Sequence, residues 1–453
     1  MILLSVLYGI LFVVYILREY TFIKKKNKIE IISYVRIYYS LINGLLPCIV
    51  YFRYDMGDLA IISEIGTIEP TNIAIIFFCS IIGYIFLSIG YRTSFSNKWK
   101  NVSKKKISID ERKLFYLVFI LMLVGYLSLF RWTMAYGSIS NFMQHASSIR
   151  SGHGEFTNNY AFFKHFAKFV NFSFIIFGSY FIFSKIDRKL IKNKFMLSIF
   201  SLFSFVGAFA FLLCSDSRGT FGTAIIVIAL SAVSFYSMKK KLLVRKQLLI
   251  IGMIAVVGFI ITSMASNIAN IYRYGEPILG NSDINIIDKF ISEFNFIIQT
   301  QNKVIDVIFS SQYKWKLFDD ILGSLIAWLP SFLKPFSDPE TLWTYNTILI
   351  KGTSNTGILP TDMLSASFYL FFLFGPIFLP LFIGKTIKYV EEKIESINNI
   401  PYKIILKHLF ALKFLMLVSH YMLRSKVYEN MSLIVGIILV HYLCRRKNST
   451  KRN

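Results

Sequence analysis

Long apolar runs, separated by short basic connections, constrain this chain more than any other feature of its sequence. About eleven runs are long enough to cross roughly 30 Å of hydrocarbon as a helix. They begin near Met1, Ile31, Thr71, Leu114, Ala161, Phe195, Phe221, Leu248, Met363, Ile404 and Met431. Charged residues make up only 17% of the 453 residues, against roughly 25% in soluble proteins. The sequence therefore predicts an all-α, polytopic integral membrane protein.

Lysine and arginine are concentrated in alternate connections between these runs, and this pattern predicts the orientation of the helices. Basic residues that flank membrane spans are retained in the cytoplasm. The basic connections are 18–28, 92–113, 185–194, 239–246 and 385–393, together with the tail 445–447. This predicts that the N-terminus lies on the outer side of the membrane, which in a bacterial inner membrane is the periplasm, and that the C-terminus lies in the cytoplasm. The first run lacks the flanks of a signal peptide, so we predict that it is a span.

We predict a single transmembrane domain with one long periplasmic loop. Residues 1–265 would form the first eight spans, 266–362 the long loop, 363–444 the last three spans and 445–453 a basic cytoplasmic tail. Within the loop, apolar residues recur at three- and four-residue intervals from Ile287 to Ile298. They predict an amphipathic helix on the membrane surface. The stretch Leu317 to Leu333 is interrupted by charges and by Pro330, which favours an interfacial or re-entrant helix.

Several classes of function find no support in this composition. The formal net charge is +25, but the basic residues lie in short clusters between apolar runs, which is the pattern of membrane-protein loops. The cysteines Cys48, Cys79, Cys214 and Cys444 lack CxxC spacing, so neither a zinc site nor a disulfide framework is indicated. The motifs of soluble hydrolases and nucleotide-binding enzymes are missing from the sequence. We therefore expect no metal, no cofactor and no nucleic-acid partner.

Three arginines on connections predicted to face the periplasm are candidates for binding an anionic lipid headgroup. Arg218 directly precedes an apolar helix, whose free N–H groups would also suit a phosphate. Arg273 follows the predicted eighth span, and Arg424 lies in the polar turn before the last one. Each has a simpler structural interpretation. Arg218 would pair with Asp216, Arg273 would anchor the interface, and Arg424 would belong to a hydrated loop.

Other polar and aromatic residues lie on the same predicted face. Arg150, His153 and Glu155 occupy a Gly-rich connection, where they would contact a glycan or simply be solvated. Asp362 opens the predicted ninth span and is a candidate either for catalysis or for capping the helix. Aromatic rings can stack on sugar faces or anchor the interface. The aromatic candidates are Tyr272, Tyr274 and Trp328.

Short motifs occur in a fixed order through the second half of the chain. They are Ser217-Arg218-Gly219, Tyr272-Arg273-Tyr274-Gly275, Ala327-Trp328-Leu329-Pro330-Ser331-Phe332-Leu333-Lys334-Pro335, Asn355-Thr356-Gly357-Ile358-Leu359-Pro360-Thr361, Phe374-Gly375-Pro376-Ile377 and Arg424. In this order, and between these spans, they resemble the bacterial polysaccharide repeat-unit polymerases, the O-antigen and enterobacterial common antigen polymerases. The N-terminal half is similar to that family in hydropathy only.

The resemblance implies a GT-C-like glycosyltransferase of the bacterial inner membrane that acts in lipopolysaccharide or related polysaccharide biosynthesis. A growing glycan would leave undecaprenyl diphosphate and join the non-reducing end of the next lipid-linked repeat unit, with inversion and without a metal. Arg218, Arg273 and Arg424 would hold the diphosphate, and a chain-length regulator would be a further partner. A base must accept the proton of the acceptor hydroxyl. The unranked candidates are Asp216, Glu276, Asp362, His153 and His420.

Three other functions remain open. A flippase or other transporter of lipid-linked oligosaccharides would favour charges at mid-span and repeated halves, and neither is evident in the sequence. An O-antigen ligase would share the outward arginines and a long late loop. A membrane O-acyltransferase would need an early intramembrane His or Arg pair, whereas the first histidine is His145.

Overall fold

The computed structural model describes residues 1–93, 106–134, 137–138, 141–142, 162–191, 193–215, 218–243, 246–254, 286–326, 329, 339–353 and 359–446. Within these ranges the chain is helical, and strand pairing is limited to three isolated bridges. The helices are α1 Ile2–Lys26, α2 Ile31–Asp55, α3 Leu59–Ile65, α4 Pro70–Arg92, α5 Glu111–Thr133, α6 Phe163–Ile186, α7 Lys194–Ser215, α8 Arg218–Lys240, α9 Ile286–Ile308, α10 Leu317–Ile326, α11 Leu342–Lys351, α12 Met363–Phe371, α13 Gly375–Glu395, α14 Ile400–Ser419, α15 Leu423–Glu429 and α16 Met431–Leu443.

Among the described residues, 8 helices are long and apolar enough to cross a membrane. They are α1, α2, α4, α5, α6, α7, α8 and the pair α12 and α13 taken together, which correspond to the predicted spans one to seven and nine. The helices α14 and α16 lie at the predicted tenth and eleventh spans, but α14 contains three lysines and α16 has only 13 residues. The predicted eighth span is helical over 246–254 and otherwise lies outside the described residues. The chain is therefore a polytopic α-helical protein.

The chain divides into two compact units, each assembled from separate segments. The first comprises Met1–Val102, Asp283–Lys393 and Phe410–Tyr428, so it holds α1 to α4, α9 to α13, the end of α14, and α15. The second comprises Ser103–Ser282, Ile394–Leu409 and Glu429–Asn453, so it holds α5 to α8, the start of α14, and α16. The single transmembrane domain with its long loop stays a prediction.

Close packing of glycines joins α4 to α13 in the first unit. A Cβ atom on Gly90 would overlap the carbonyl oxygen of Leu381, and one on Gly384 would overlap that of Leu87. Small residues at such positions allow two membrane helices to approach closely, because no side chain separates their backbones. The crossing of α4 and α13 therefore depends on these two glycines.

The predicted ninth span is broken between α12 and α13. Phe372 has φ 54° and ψ −140°, a conformation that costs energy for a residue with a Cβ. The last carbonyl groups of α12 accept hydrogen bonds from the segment before α10. The donors are the Tyr313 hydroxyl to Phe368, 3.3 Å, the Trp315 indole to Leu370, and the Lys316 amide to Tyr369, 3.1 Å. These bonds satisfy backbone groups that hydrocarbon could not.

The amphipathic helix predicted in the long loop is present as α9, but its surroundings differ from the prediction. Ile291, Ile297 and Ile298 are at most 2% exposed, and α9 packs against α2, α3, α4, α11 and α12. Its apolar face is thus covered by protein instead of lying against the membrane surface. Hydrophobic periodicity identifies the buried face of a helix but not what covers it, which explains the difference.

The second unit is built around aromatic packing. Trp132 contacts Phe142 with ring centroids 4.6 Å apart and Phe211 at 5.9 Å. Two isolated bridges, Ile107 with Ile397 and Ile109 with Arg445, connect the segment before α5 to the segments before α14 and after α16. Asp110 caps α5 by accepting from the amides of Arg112 and Lys113. Backbone N–H groups stabilise the charged carboxylate, which lowers the pKa of Asp110 below its ordinary value,.

Candidate functional site

Two segments that are distant in sequence meet at a short backbone bridge in the first unit. The Tyr421 amide donates to the Thr361 carbonyl at 2.7 Å, and the Thr361 hydroxyl donates to the Tyr421 carbonyl at 2.8 Å. The Trp343 indole donates to that same carbonyl at 2.8 Å. The bridge fixes the segment that precedes α12 against the segment that follows α14. It therefore holds Asp362 and His420, each next to a bridged residue, in one region of the molecule.

Asp362 is fully buried and caps α12. Its Oδ2 accepts from the Leu364 amide at 3.0 Å, and its Oδ1 accepts from the Ser365 amide at 3.3 Å. A carboxylate at this position satisfies N–H groups that have no partner within the helix. Oδ2 also accepts a 3.0 Å bond from the Gln301 side chain. Of the two interpretations given by the sequence, capping is the one that the geometry describes, and a catalytic role for Asp362 stays a prediction.

Gln301 links Asp362 to the middle of α2. Its Nε2 donates to Asn43 Oδ1 at 3.0 Å as well as to Asp362 Oδ2. Asn43 lies 12 positions after Ile31 and 12 before Asp55, at the centre of this span. It also lies in a π-helical turn, Leu41–Leu45, a distortion found frequently at functional sites. The polar cluster is therefore level with the middle of a membrane-crossing helix, where polar groups are costly and usually functional.

His420 ends a chain of hydrogen bonds that begins on α2. The Tyr38 hydroxyl donates to Ser419 Oγ at 3.0 Å, and Ser419 Oγ lies 2.9 Å from His420 Nδ1. Which of these two atoms donates is set by the tautomer of the imidazole,. In the tautomer that carries its proton on Nδ1, Nδ1–H donates to Ser419 Oγ and Nε2 is the basic nitrogen of the ring.

Aromatic rings surround the imidazole of His420, which is itself half-buried. The ring centroid of Phe296 is 4.9 Å away, and those of Phe294 and Trp343 are each 6.5 Å away. The Lys426 ammonium lies 5.9 Å from the centre of the Trp343 ring. The region thus combines a titratable ring, a cation and flat apolar surfaces, which together can bind a sugar that carries an anionic group.

The predicted arginines are only partly described. Arg424 lies in α15, three residues after the bridged Tyr421, and Arg218 is the first residue of α8, as expected for a helix start. The side chains of Arg218 and Arg424 lie outside the described residues. So do the following predicted positions: Arg150, His153, Glu155, Asp216, Tyr272, Arg273, Tyr274, Glu276 and Trp328. The gathering of three arginines around one cavity therefore stays a prediction.

Asn43, Gln301, Ser419 and Tyr38 contribute to this region but were not identified from the sequence. Asn43 interrupts the apolar residues of the second run, and Gln301 lies between Thr300 and Asn302 in the amphipathic segment. The amide of Asn43 within an apolar run was the available signal. The hydrogen bond between Asn43 and Gln301 could not be predicted from the sequence, because the two residues are separated by 258 positions.

The comparisons with known proteins add no family to this description. No protein-family model, curated protein or solved structure matches the chain. Within the described residues, no group of three or more His, Cys, Asp or Glu side chains could hold a metal ion. Fold and site together define a polytopic α-helical membrane protein with a buried polar cluster level with the middle of one span.

Proposed function

We propose that this protein is a membrane glycosyltransferase of the repeat-unit polymerase type. It would transfer a growing glycan from undecaprenyl diphosphate to a lipid-linked repeat unit at the periplasmic face of the bacterial inner membrane. The main support is the Thr361–Tyr421 bridge, which holds Asp362 and His420 together beside the helix that carries Arg424. The second support is the order in which the motifs given under the sequence analysis follow one another along the chain.

The chemistry of such a transfer has two requirements. The diphosphate leaving group needs its developing charge stabilised, and arginine does so without a metal through two parallel hydrogen bonds. The acceptor hydroxyl must lose its proton to a base. His420 is better placed for this than Asp362, because it is half-buried, whereas Asp362 is fully buried and accepts three bonds.

Single substitutions in cells that display the surface polysaccharide test this proposal. We expect His420→Ala and Arg424→Ala to abolish the ladder of long chains, with Arg424→Lys impaired because lysine cannot bind phosphate bidentately. Arg53→Ala is the control, since Arg53 begins the predicted outward connection after α2 and forms an ion pair with Asp58 at 2.5 Å. The measurement is gel separation of the polysaccharide, with immunoblotting of the protein in membranes. A full ladder in the His420 and Arg424 variants would refute the roles assigned to these residues.

A transporter of lipid-linked oligosaccharide is the second candidate, and two observations favour it. Arg36 of α2 pairs with Glu19 of α1 at 3.2 Å, with both side chains at most 5% exposed, so two spans contain a buried ion pair. The break between α12 and α13 is a further feature of transporter helices. The same gel separates the alternatives. Loss of a polymerase leaves a single repeat unit on the surface, whereas loss of a transporter or of a ligase leaves none.

A further inference from the structure

The short helix α10 of the long loop exposes apolar residues along one side. Phe318 is 59% exposed, Ile321 41%, Leu322 43% and Leu325 71%. Their spacing of three, four and seven positions places them on one face of a helix. A soluble protein would bury such a face, so the exposed side of α10 needs a partner.

The opposite side of α10 is polar and buried. Asp320 and Ser324 are 5% and 6% exposed, and Lys316, immediately before the helix, is 4% exposed. The Lys316 ammonium donates to Glu340 at 2.7 Å and to Asp319 at 3.0 Å. Burial lowers the pKa of Lys316, but these hydrogen bonds outweigh that effect and raise the pKa above its ordinary value,. The Lys316 ammonium is therefore paired with two carboxylates of the protein, whereas the apolar side chains of α10 are exposed on the other side.

The exposed face of α10 is continuous with the outer surface of a membrane-crossing helix. The Phe318 ring contacts Trp315 with centroids 5.2 Å apart, and the Trp315 indole donates to the Leu370 carbonyl at the end of α12. The neighbouring Phe371 contacts Phe378 of α13 at 5.8 Å. Phe378 is 46% exposed on a helix that is long and apolar enough, together with α12, to cross a membrane. Lipid in contact with Phe378 would therefore also reach α10.

We propose that α10 is an in-plane membrane anchor, in which Phe318, Ile321, Leu322 and Leu325 contact the acyl chains of phospholipid in the leaflet predicted to face the periplasm. Interfacial helices bury one apolar face at the boundary of headgroups and acyl chains. The anchor would hold this part of the long loop at the membrane surface. This inference does not depend on the reaction proposed above.

Quenching by brominated phospholipid tests the proposal. The full chain, with its four cysteines replaced by alanine, receives one cysteine in place of Phe318 or Leu325 and a bimane label. The labelled proteins are reconstituted in phosphatidylcholine vesicles with and without bromine on the acyl chains, at low protein content. Phe382→Cys is the lipid-facing control, because Phe382 is 62% exposed on α13. Lys351→Cys is the water-facing control at the end of α11, where the residue is exposed.

We expect brominated lipid to quench the labels at positions 318 and 325 as strongly as the label at 382, and at least about twofold more than the label at 351. Iodide in the aqueous phase should instead quench the label at 351 more strongly than the other three. Quenching no stronger than at 351 would overturn the proposal. Protection from both quenchers would also overturn it, since protein would then cover the face. If the cysteine-free chain does not fold, a photoreactive phenylalanine analogue at the same positions in the natural chain should form lipid adducts detectable by mass spectrometry. Adducts with protein alone would again refute it.

Discussion

Gln301 holds two acceptors with one amide nitrogen. Its Nε2 lies 3.0 Å from Asn43 Oδ1 and 3.0 Å from Asp362 Oδ2, and all three residues are at most 2% exposed. A buried acceptor without a donor loses the hydrogen bonds it makes to water in the unfolded chain. The amide therefore connects the middle of α2 to the cap of α12 at a point where water cannot substitute for it.

We expect Gln301→Leu to lower the free energy of unfolding by about 1–3 kcal/mol, because the buried Asn43 Oδ1 loses this donor and Asp362 Oδ2 loses one of its two,. Gln312→Leu is the matched control, since Gln312 is exposed in the same loop. Thermal unfolding of the two purified variants in one detergent measures the effect. Equal midpoints for the two variants would show that the amide does not stabilise the fold.

Single residues differ in how well the sequence predicts their position. Asp362 lies two residues after Pro360 and directly before an apolar run, so a capping role was one of two local predictions. The contact of Tyr38 with Ser419, which orients His420, spans 381 residues and leaves no local pattern. Side-chain contacts between distant segments depend on the packing of the intervening helices. For that reason the candidate site could be predicted only at the residues that also have a role within their own helix.

At the scale of whole helices, the crossing of α4 and α13 depends on backbones that touch. Gly90 and Gly384 face each other's helix without side chains, and membrane helices with such contacts gain van der Waals attraction and lose it when a side chain intervenes. Pro380 lies within α13 and removes one hydrogen bond of that helix. The close approach of α4 therefore supports a helix that is weakened internally.

Gly90→Ala and Gly384→Ala should each destabilise the protein by about 1–3 kcal/mol, because the added methyl group overlaps a carbonyl oxygen and the helices must separate. Gly252→Ala is the control, since a Cβ atom there meets no atom within 4 Å. The fraction of protein that remains monodisperse after heating, followed by size-exclusion chromatography in detergent, measures the effect. If all three variants behave alike, the two backbones are not in contact.

The break in the predicted ninth span shows where hydropathy stops being informative at this scale. Continuous apolar character from Met363 to Gly384 predicted one span, and the run does form membrane-compatible helix on both sides of Phe372. The break is supported by donors from Tyr313, Trp315 and Lys316, more than 50 residues earlier in the chain. Hydropathy reports whether a segment tolerates lipid, but it carries no information about hydrogen bonds supplied by another segment.

At the scale of the whole molecule, the number of membrane crossings decides which side of the membrane each connection faces. Eight helices in the described residues have the length and composition of spans, whereas the distribution of basic residues predicts about eleven crossings. The difference includes the segment beginning near Leu248, which is helical over 246–254. If that segment crosses the membrane, the long loop and its α9 face the same side as the turn after α2. Without that crossing, the long loop would face the cytoplasm, and the proposed enzyme could not use it at the periplasmic face.

Cysteine labelling in intact cells shows on which side of the membrane each connection lies. We expect Met56→Cys, in the exposed turn after α2, to react with a membrane-impermeant maleimide. Lys189→Cys, between α6 and α7, should react only after the cells are permeabilised. Gln312→Cys decides the eighth span and should react like Met56→Cys, since eight crossings before it return the chain to the periplasm. The natural chain, whose Cys48 and Cys79 are half-buried in spans, gives the background. Reaction of Gln312→Cys only after permeabilisation would contradict the predicted topology, and the periplasmic glycosyl transfer proposed above would have to be abandoned.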